Sequence, residues 1–197
     1  MVNTAIQLCV GLGNPGAEYA MTRHNAGFWL IDRIAAVYGE QFRTEARFHG
    51  QVCRIHCHGQ EVRLLKPMTF VNQSGRAVAA IARYFNIPSE QILLAYDELD
   101  LPPGQVRLKQ GGGHAGHNGV RNTLALLDDG NFWRLRIGIG HPGTKQQVVN
   151  YVLNAPSKTD TDCIDTALTL VVQQCPELFA GQFQRVMNRL HVKPASE

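Results

Sequence analysis

The stretch LCVGLGNPGAEYAMTRHNAG, residues 8–27, decides how the fold is read. An apolar run ends in GLGNPG, which fits G-x-G-x-x-G, the fingerprint of a dinucleotide-binding strand, turn and helix. That fingerprint needs a helix opening at its last glycine, because the helix N-terminus holds the pyrophosphate. Here Pro15 removes an amide donor from the loop. The next helical periodicity starts only near Ala26, ten residues after Gly16. A second strand ending in an acid should follow, yet Asp32 falls inside the expected helix. No G-x-x-x-x-G-K-[ST] string occurs, so a P-loop is unsupported as well. The glycines are better read as a tight turn that presents Asn14 at a strand end.

On either side of this stretch, strand and helix patterns alternate. AIQLCV reads as a buried strand, and AGFWLIDRIAAVYG as a helix with Phe28, Ile31, Ile34 and Ala35 on one face. GQVCRIHCHGQEVRLLKP reads as a hairpin turning at Gly59-Gln60. NQSGRAVAAIARYFNI reads as a helix capped by Asn72 or Ser74. QILLAYDELD, GQVRLKQ and WRLRIGIGHPG read as strands, and GGGHAGHNG as a loop entering the helix VRNTLALLDDG. The tail is expected to be helical from about 160 to 191, with Pro176 opening its second half. This alternation predicts one α/β domain over residues 1–197, with a twisted mixed β-sheet flanked by helices. In such sheets sites form beyond the carboxyl ends of strands, which gives weight to Asn14, Asp97, residues 111–118 and His141.

Composition excludes several classes. The 197 residues are 44% hydrophobic and 18% charged, which suits a globular chain with a real core. No apolar run approaches a membrane span. The N-terminus lacks the basic and small-residue features of a secretory signal. Five cysteines at irregular spacing, at 9, 53, 57, 163 and 175, suggest free thiols in a cytoplasmic protein. Net charge is only +3. Between Leu101 and Lys158, however, Arg107, Lys109, Arg121, Arg134, Arg136, Lys145 and Lys158 face only Asp128 and Asp129. That imbalance fits local contact with a polyanion, or a solvated basic face.

The residues offer few chemistries. Ser74 lacks the first glycine of a nucleophile elbow. On a strand, Cys53 and Cys57 of CRIHCH share one face and His56 and His58 the other, so zinc is not expected. YDELD offers Asp97, Glu98 and Asp100 to magnesium, but a structural role for Glu98 or Asp100 suits them better. His24, in a polar glycine-flanked loop, is a natural proton acceptor near neutral pH, or a helix cap. Asp97 at a strand end is its best-placed carboxylate partner. Asn14, Asn25, Asn72 and Asn118 offer uncharged donors and acceptors, or turns and caps.

GLGNPGAEYAMTRHNAG, LLKPMTFVNQSG, DELDLPPG, GGGHAGHNG and FWRLRIGIGHPG, in this order, closely resemble the bacterial peptidyl-tRNA hydrolases. The resemblance runs from about residue 6 to 153, with a compatible tail to His191. It implies a monomeric, metal-independent cytoplasmic esterase without cofactor or acyl-enzyme. Such an enzyme cleaves the ester between an N-blocked peptide and the 3′-terminal ribose of tRNA, freeing the tRNA for translation. His24 matches the family's general base and Asp97 its supporting carboxylate. Asn14 matches the residue linked to telling blocked from unblocked aminoacyl-tRNA. Tyr19, Phe70, Asn72, His117 and Asn118 match substrate-side positions. Lys109 and Arg136 match basic positions associated with tRNA phosphates, so the resemblance implies an acceptor stem held there, with the 3′-CCA end reaching the substrate-side positions. One departure shows: Val71 stands where the family usually has methionine, at a position thought to line the peptide site. Valine is shorter and stiffer.

Overall fold

Short runs rich in branched and apolar residues build the sheet, continuous at its centre, and glycines and prolines punctuate it. The computed structural model of the chain describes residues 5–191. Seven strands run as β1 (Leu8–Gly11), β2 (Arg43–Glu45), β3 (Gly50–Cys57), β4 (Gln60–Pro67), β5 (Ile92–Glu98), β6 (Val106–Gln110) and β7 (Trp133–Gly138). Helices are α1 (Ala26–Val37), α2 (Ser74–Tyr84), α3 (Asn118–Leu126), α4 (Val148–Val152), α5 (Lys158–Gln173), α6 (Cys175–Phe179) and α7 (Phe183–Leu190). The sheet order is β2-β3-β4-β1-β5-β7-β6. β4, β1, β5 and β7 are mutually parallel, and antiparallel strands flank them on both sides. The mixed sheet expected from the sequence is thus present in a single domain.

Helices cover both faces. Leu93, Ala95, Ile31, Ile34, Leu168 and Phe179 pack into a core beneath α1 and α5–α7. Leu94, Tyr96, Val78, Ile81, Val120 and Phe132 pack into another beneath α2 and α3. This alternation along β5 aims Asp97, the next residue in the Leu93–Ala95 series, toward the α1 side of the sheet.

Two local expectations change. The hairpin turns at His58-Gly59, because Cys57 already pairs with Gln60. Both turn residues have positive φ, 50° and 79°, the geometry that matches strand twist in a two-residue hairpin. Neither Asn72 nor Ser74 caps α2. Ser74 is its first residue and donates its hydroxyl to the Val71 carbonyl at 2.8 Å. The Gly75 amide finds its acceptor in Asn122 Oδ1 of α3, also at 2.8 Å. β2 and α4, too short for a periodic signal, are not foreseen by the sequence pattern.

Candidate active site

The site begins where β1 meets α1. Gly11 and Gly27 lie so close that a Cβ on Gly11 would stand 2.3 Å from the Gly27 carbonyl oxygen. This contact draws the start of α1 against the carboxyl ends of β1 and β5. The turn before it, Arg23–Asn25, is buried. His24 therefore arrives beside Asp97: its Nδ1 lies 2.8 and 2.9 Å from the two carboxylate oxygens. An aspartate carboxylate only accepts, so Nδ1 carries the proton and Nε2 carries the lone pair. Nε2 has no partner among the described residues, and His24 lines a cleft of about 390 Å³. Burial alone lowers the His24 pKa, but the Asp97 charge and hydrogen bond outweigh it, and the net shift is upward. Burial raises the Asp97 carboxyl, but the two histidines and their hydrogen bonds pull it well below the usual carboxylate range.

The second histidine is His117. Its Nε2 stands 3.0 Å from Asp97 Oδ1. Its Nδ1 accepts from the Gly119 and Val120 amides at 3.2 and 3.3 Å, so this side chain caps α3. An Nδ1 that accepts twice carries no proton, so Nε2 is the donor to Asp97. Asp97 is thereby held from two sides, and only His24 keeps a free ring nitrogen. His117, expected as a substrate-side residue, lines the cleft but spends both nitrogens inside the protein.

Asn14 is fixed by its neighbours. Its Oδ1 accepts from the Val71 amide at 2.8 Å, which settles which way the amide points. Its backbone exchanges hydrogen bonds with the Asn25 side chain at 2.8 and 3.0 Å. The Nδ2 donors remain for the cleft that Asn14 lines. Val71 is buried at the same wall.

Tyr19, Phe70, Asn72 and Asn118 reach the same cleft. Phe70 is 57% exposed and meets the Tyr19 ring edge-on at 6.2 Å. Lys109 and Arg136 do not line it. Arg136 Nε donates to Glu98 Oε2 at 2.8 Å, and Glu98 forms part of the cleft wall. Lys109 stands among Arg134 and Arg136, and desolvation and those charges lower its pKa. His141 also stays apart, its Nδ1 accepting from Gly143 in a turn. Glu98 further accepts from the Asp100 amide at 3.1 Å, the structural role expected for this pair.

The sequence pattern does not announce the apolar lip. Val148, Val149, Val152 and Leu153, with Leu99, close one side of the cleft. Val149 is 68% exposed, an unusual position for a branched apolar side chain. Arg23 holds this lip: it stacks on Tyr151 at 3.9 Å and donates to the Tyr151 and Asn154 carbonyls. The only signal in the sequence is the apolar pair in QQVVNYV, too brief to separate from a buried helix.

His24, Asp97 and His117 also bring three ligand-type atoms within 4.8 Å of one another. Their contacts are hydrogen bonds of ordinary length. A metal would need ligands near about 2.1 Å around one centre, so both bonds to Asp97 would have to open. A larger hollow of about 700 Å³ lies at the β2–β3 edge. Three of its arginines are engaged with acids, in Arg47–Glu45 at 3.3 Å, Arg54–Glu61 at 3.6 Å and Arg63–Glu61 at 2.6 Å.

The chain has counterparts among known proteins. The sequence profile of the peptidyl-tRNA hydrolases matches residues 8–197. A peptidyl-tRNA hydrolase of Methylobacillus flagellatus is 54% identical over 188 residues, covering 95% of this chain and 97% of that one. One from Halorhodospira halophila is 51% identical over 185 residues, covering 94% and 95%. The crystal structure of peptidyl-tRNA hydrolase from Acinetobacter baumannii superposes with a TM-score of 0.95 at 43% identity, over 100% of this chain and 99% of that one. Profile, sequence and three-dimensional likeness coincide over nearly the full length, and the chain belongs to the peptidyl-tRNA hydrolase family.

Proposed function

We propose that this chain carries out its family's ester hydrolysis on peptidyl-tRNA with His24 as the general base. The observation that carries the reading is the pairing of His24 Nδ1 with Asp97, which leaves a basic, unpaired Nε2 at the cleft. A water between Nε2 and the ester gives its proton to His24 as its oxygen attacks the carbonyl carbon. The tetrahedral oxyanion collapses, the bond to the ribose oxygen breaks, and the histidinium returns its proton to that oxygen. Peptide acid and free tRNA leave. Asp97 stabilises the imidazolium electrostatically and fixes its tautomer. His117 holds Asp97 in place.

Asn14 supplies the discrimination. Its outward Nδ2 donates to the carbonyl of a blocked α-amine, and meets a free ammonium donor against donor. Phe70, Tyr19, Val71 and the Val149 lip give the peptide an apolar bed. Asn72 and Asn118 are exposed at the rim, where the terminal nucleotide would lie. Lys109 and Arg136 continue the surface away from the cleft and receive acceptor-stem phosphates.

The enzyme works as a cytoplasmic monomer without metal. In support, one chain completes the cleft, all five cysteines are free, and no helix among the described residues is long and apolar enough to cross a membrane.

Hydrolysis of N-acetyl-aminoacyl-tRNA by wild type and His24→Ala tests the reading. The expected loss is about 10²- to 10⁴-fold, the range for general-base assistance. Near-wild-type turnover would sink it. A chelator should leave the rate unchanged, and inhibition reversed by zinc or magnesium would argue for a metallohydrolase.

A further inference from the structure

Arg134 is the largest fully buried side chain described, at 0% exposure. No carboxylate among the described residues pairs with it, because Glu98 is bonded to Arg136 and Asp97 to the two histidines. Burying an unpaired guanidinium is costly unless strong acceptors surround it. Arg134 finds two backbone carbonyls instead. Nη1 donates to Gly113 at 2.5 Å and Nη2 to Gly112. Its body rests on the Phe132 ring at 4.9 Å. Nε is buried without a partner, so the group is aimed at the loop even at the expense of one donor.

That loop has little else to hold it. Residues 111, 112, 115 and 116 have φ values of 63°, 95°, 46° and 83°. Ala115 is thus a non-glycine residue in the left-handed region. The loop is largely exposed, and its amides make few bonds: Gly111 to Phe132, Gly116 to the His114 ring, and His117 to the His114 carbonyl. It ends at His117, whose Nε2 must stand 3.0 Å from Asp97. Tyr96 lies against Arg134 and packs its ring edge-on against His117 at 5.0 Å. A single buried fork thus touches the start of the loop and, through Tyr96, its end.

We propose that Arg134 is a positioning residue for the hydrolysis: its guanidinium clamps the Gly112 and Gly113 carbonyls and so holds the loop that delivers His117 to Asp97. The proposal rests on the His24–Asp97 reading above. It requires the fork, not merely the charge, because two carbonyls must be spanned at once. It also separates Arg134 from Arg136 two residues on, which is paired with Glu98 of the cleft wall.

The test compares Arg134→Met, Arg134→Lys and His24→Ala with wild type, each checked for folding by thermal melting. Arg134→Met should lower kcat by up to about 10²-fold, as misplacement of catalytic geometry does, while KM for N-acetyl-aminoacyl-tRNA moves little. In 15N NMR of labelled histidine, the His117 Nε2–H resonance should disappear by exchange with solvent. Arg134→Lys should recover only part of kcat and of that resonance. A folded Arg134→Met with wild-type kcat overturns the proposal. So does a loss confined to KM, full recovery by lysine, or a resonance that persists while kcat falls. Should Arg134→Met not fold, Arg134→Lys carries both readouts under the same criteria. The resonance is read without substrate, so the clamp can fail while the His24 reading stands. Turnover retained by His24→Ala would overturn that reading alone.

Discussion

The two glycine-rich loops that frame the cleft, 11–16 and 111–116, use the same residue for opposite reasons. In the first, glycine permits contact. A Cβ on Gly11 would lie 2.3 Å from the Gly27 carbonyl oxygen, and one on Gly13 would lie 2.8 Å from the Phe28 ring. In the second, glycine permits conformation. A Cβ on Gly113 or Gly116 would meet nothing within 4 Å, and the loop winds through positive φ. The first loop is fixed by close packing of helix on strand and delivers His24 with one nitrogen free. The second is fixed by Arg134 and delivers His117 with both nitrogens used. The proposed base and its proposed support are thus held by different physical means.

The comparison breaks most visibly in turnover. His24→Ala should cost about 10²- to 10⁴-fold, and His117→Ala distinctly less, because His117 touches Asp97 and not the reacting water. Equal losses, measured as kcat on one substrate, would make the two histidines equivalent and end the asymmetry.

Stability sharpens it next. Gly27→Ala forces backbone apart in a packed crossing and should destabilise by about 1–3 kcal/mol or more. Gly113→Ala, in open space, should stay within about 0.5 kcal/mol. Denaturant titrations of both variants check this, and a Gly113→Ala loss as large as that of Gly27→Ala would show that the second loop is packed too.

The pH profile separates the histidines by sign. In the proposed mechanism His24 acts unprotonated, so kcat/KM should rise with pH through its folded pKa, which Asp97 holds above the ordinary histidine value of about 6.5. Asp97→Asn removes the charge and leaves burial, so the acidic limb should move to lower pH. His117→Ala frees a lone pair of Asp97 for His24 alone, so the limb should move to higher pH. The same raised pKa contributes stability below the unfolded histidine value, and that contribution is lost as pH rises through the folded one. Limbs shifting together in both variants would contradict the arrangement.

The smallest effect lies outside both loops. Lys109→Ala should leave kcat near wild type and make the logarithmic dependence of KM on salt shallower by at most about one unit, as for one phosphate contact. An unchanged slope would remove Lys109 from the tRNA surface.

Much of this was legible in the chain. Helical spacing placed α1, short apolar runs placed β1 and β5, and a turn between two strand patterns placed β3 and β4; β1 and β5 are buried along their whole length. Pro15 and the delayed helix at Ala26 ruled out the pyrophosphate cradle, because both are local facts of donors and spacing. The motif set named His24, Asp97 and Asn14, and the fold brings them to one cleft. Burial pattern in CRIHCH also followed from alternation, with Cys53 and Cys57 inside and His56 outside.

Other features depend on atoms distant in sequence. The α2 amide at Gly75 is satisfied by Asn122 and not by a local cap, because α3 crosses close enough to supply the oxygen. The Val149 lip exists because Arg23 ties α4 to the turn holding His24, a link across more than a hundred residues. The tautomers of His24 and His117 follow from what each second nitrogen meets, and no spacing rule carries that. Arg134 reads in sequence as one more basic residue among phosphate contacts. Only the tertiary structure turns it inward, because β7 pairs with β5 and β6 and leaves its guanidinium beneath the glycine loop. The sequence alone determined the alternating elements and the family, and named His24 and Asp97 as the reactive candidates, since these are written in local pattern. Tertiary structure decided which nitrogen is free, which carbonyls are gripped and which loop is packed or tethered, since those depend on hydrogen-bond partners that only the closed fold brings within about 3 Å.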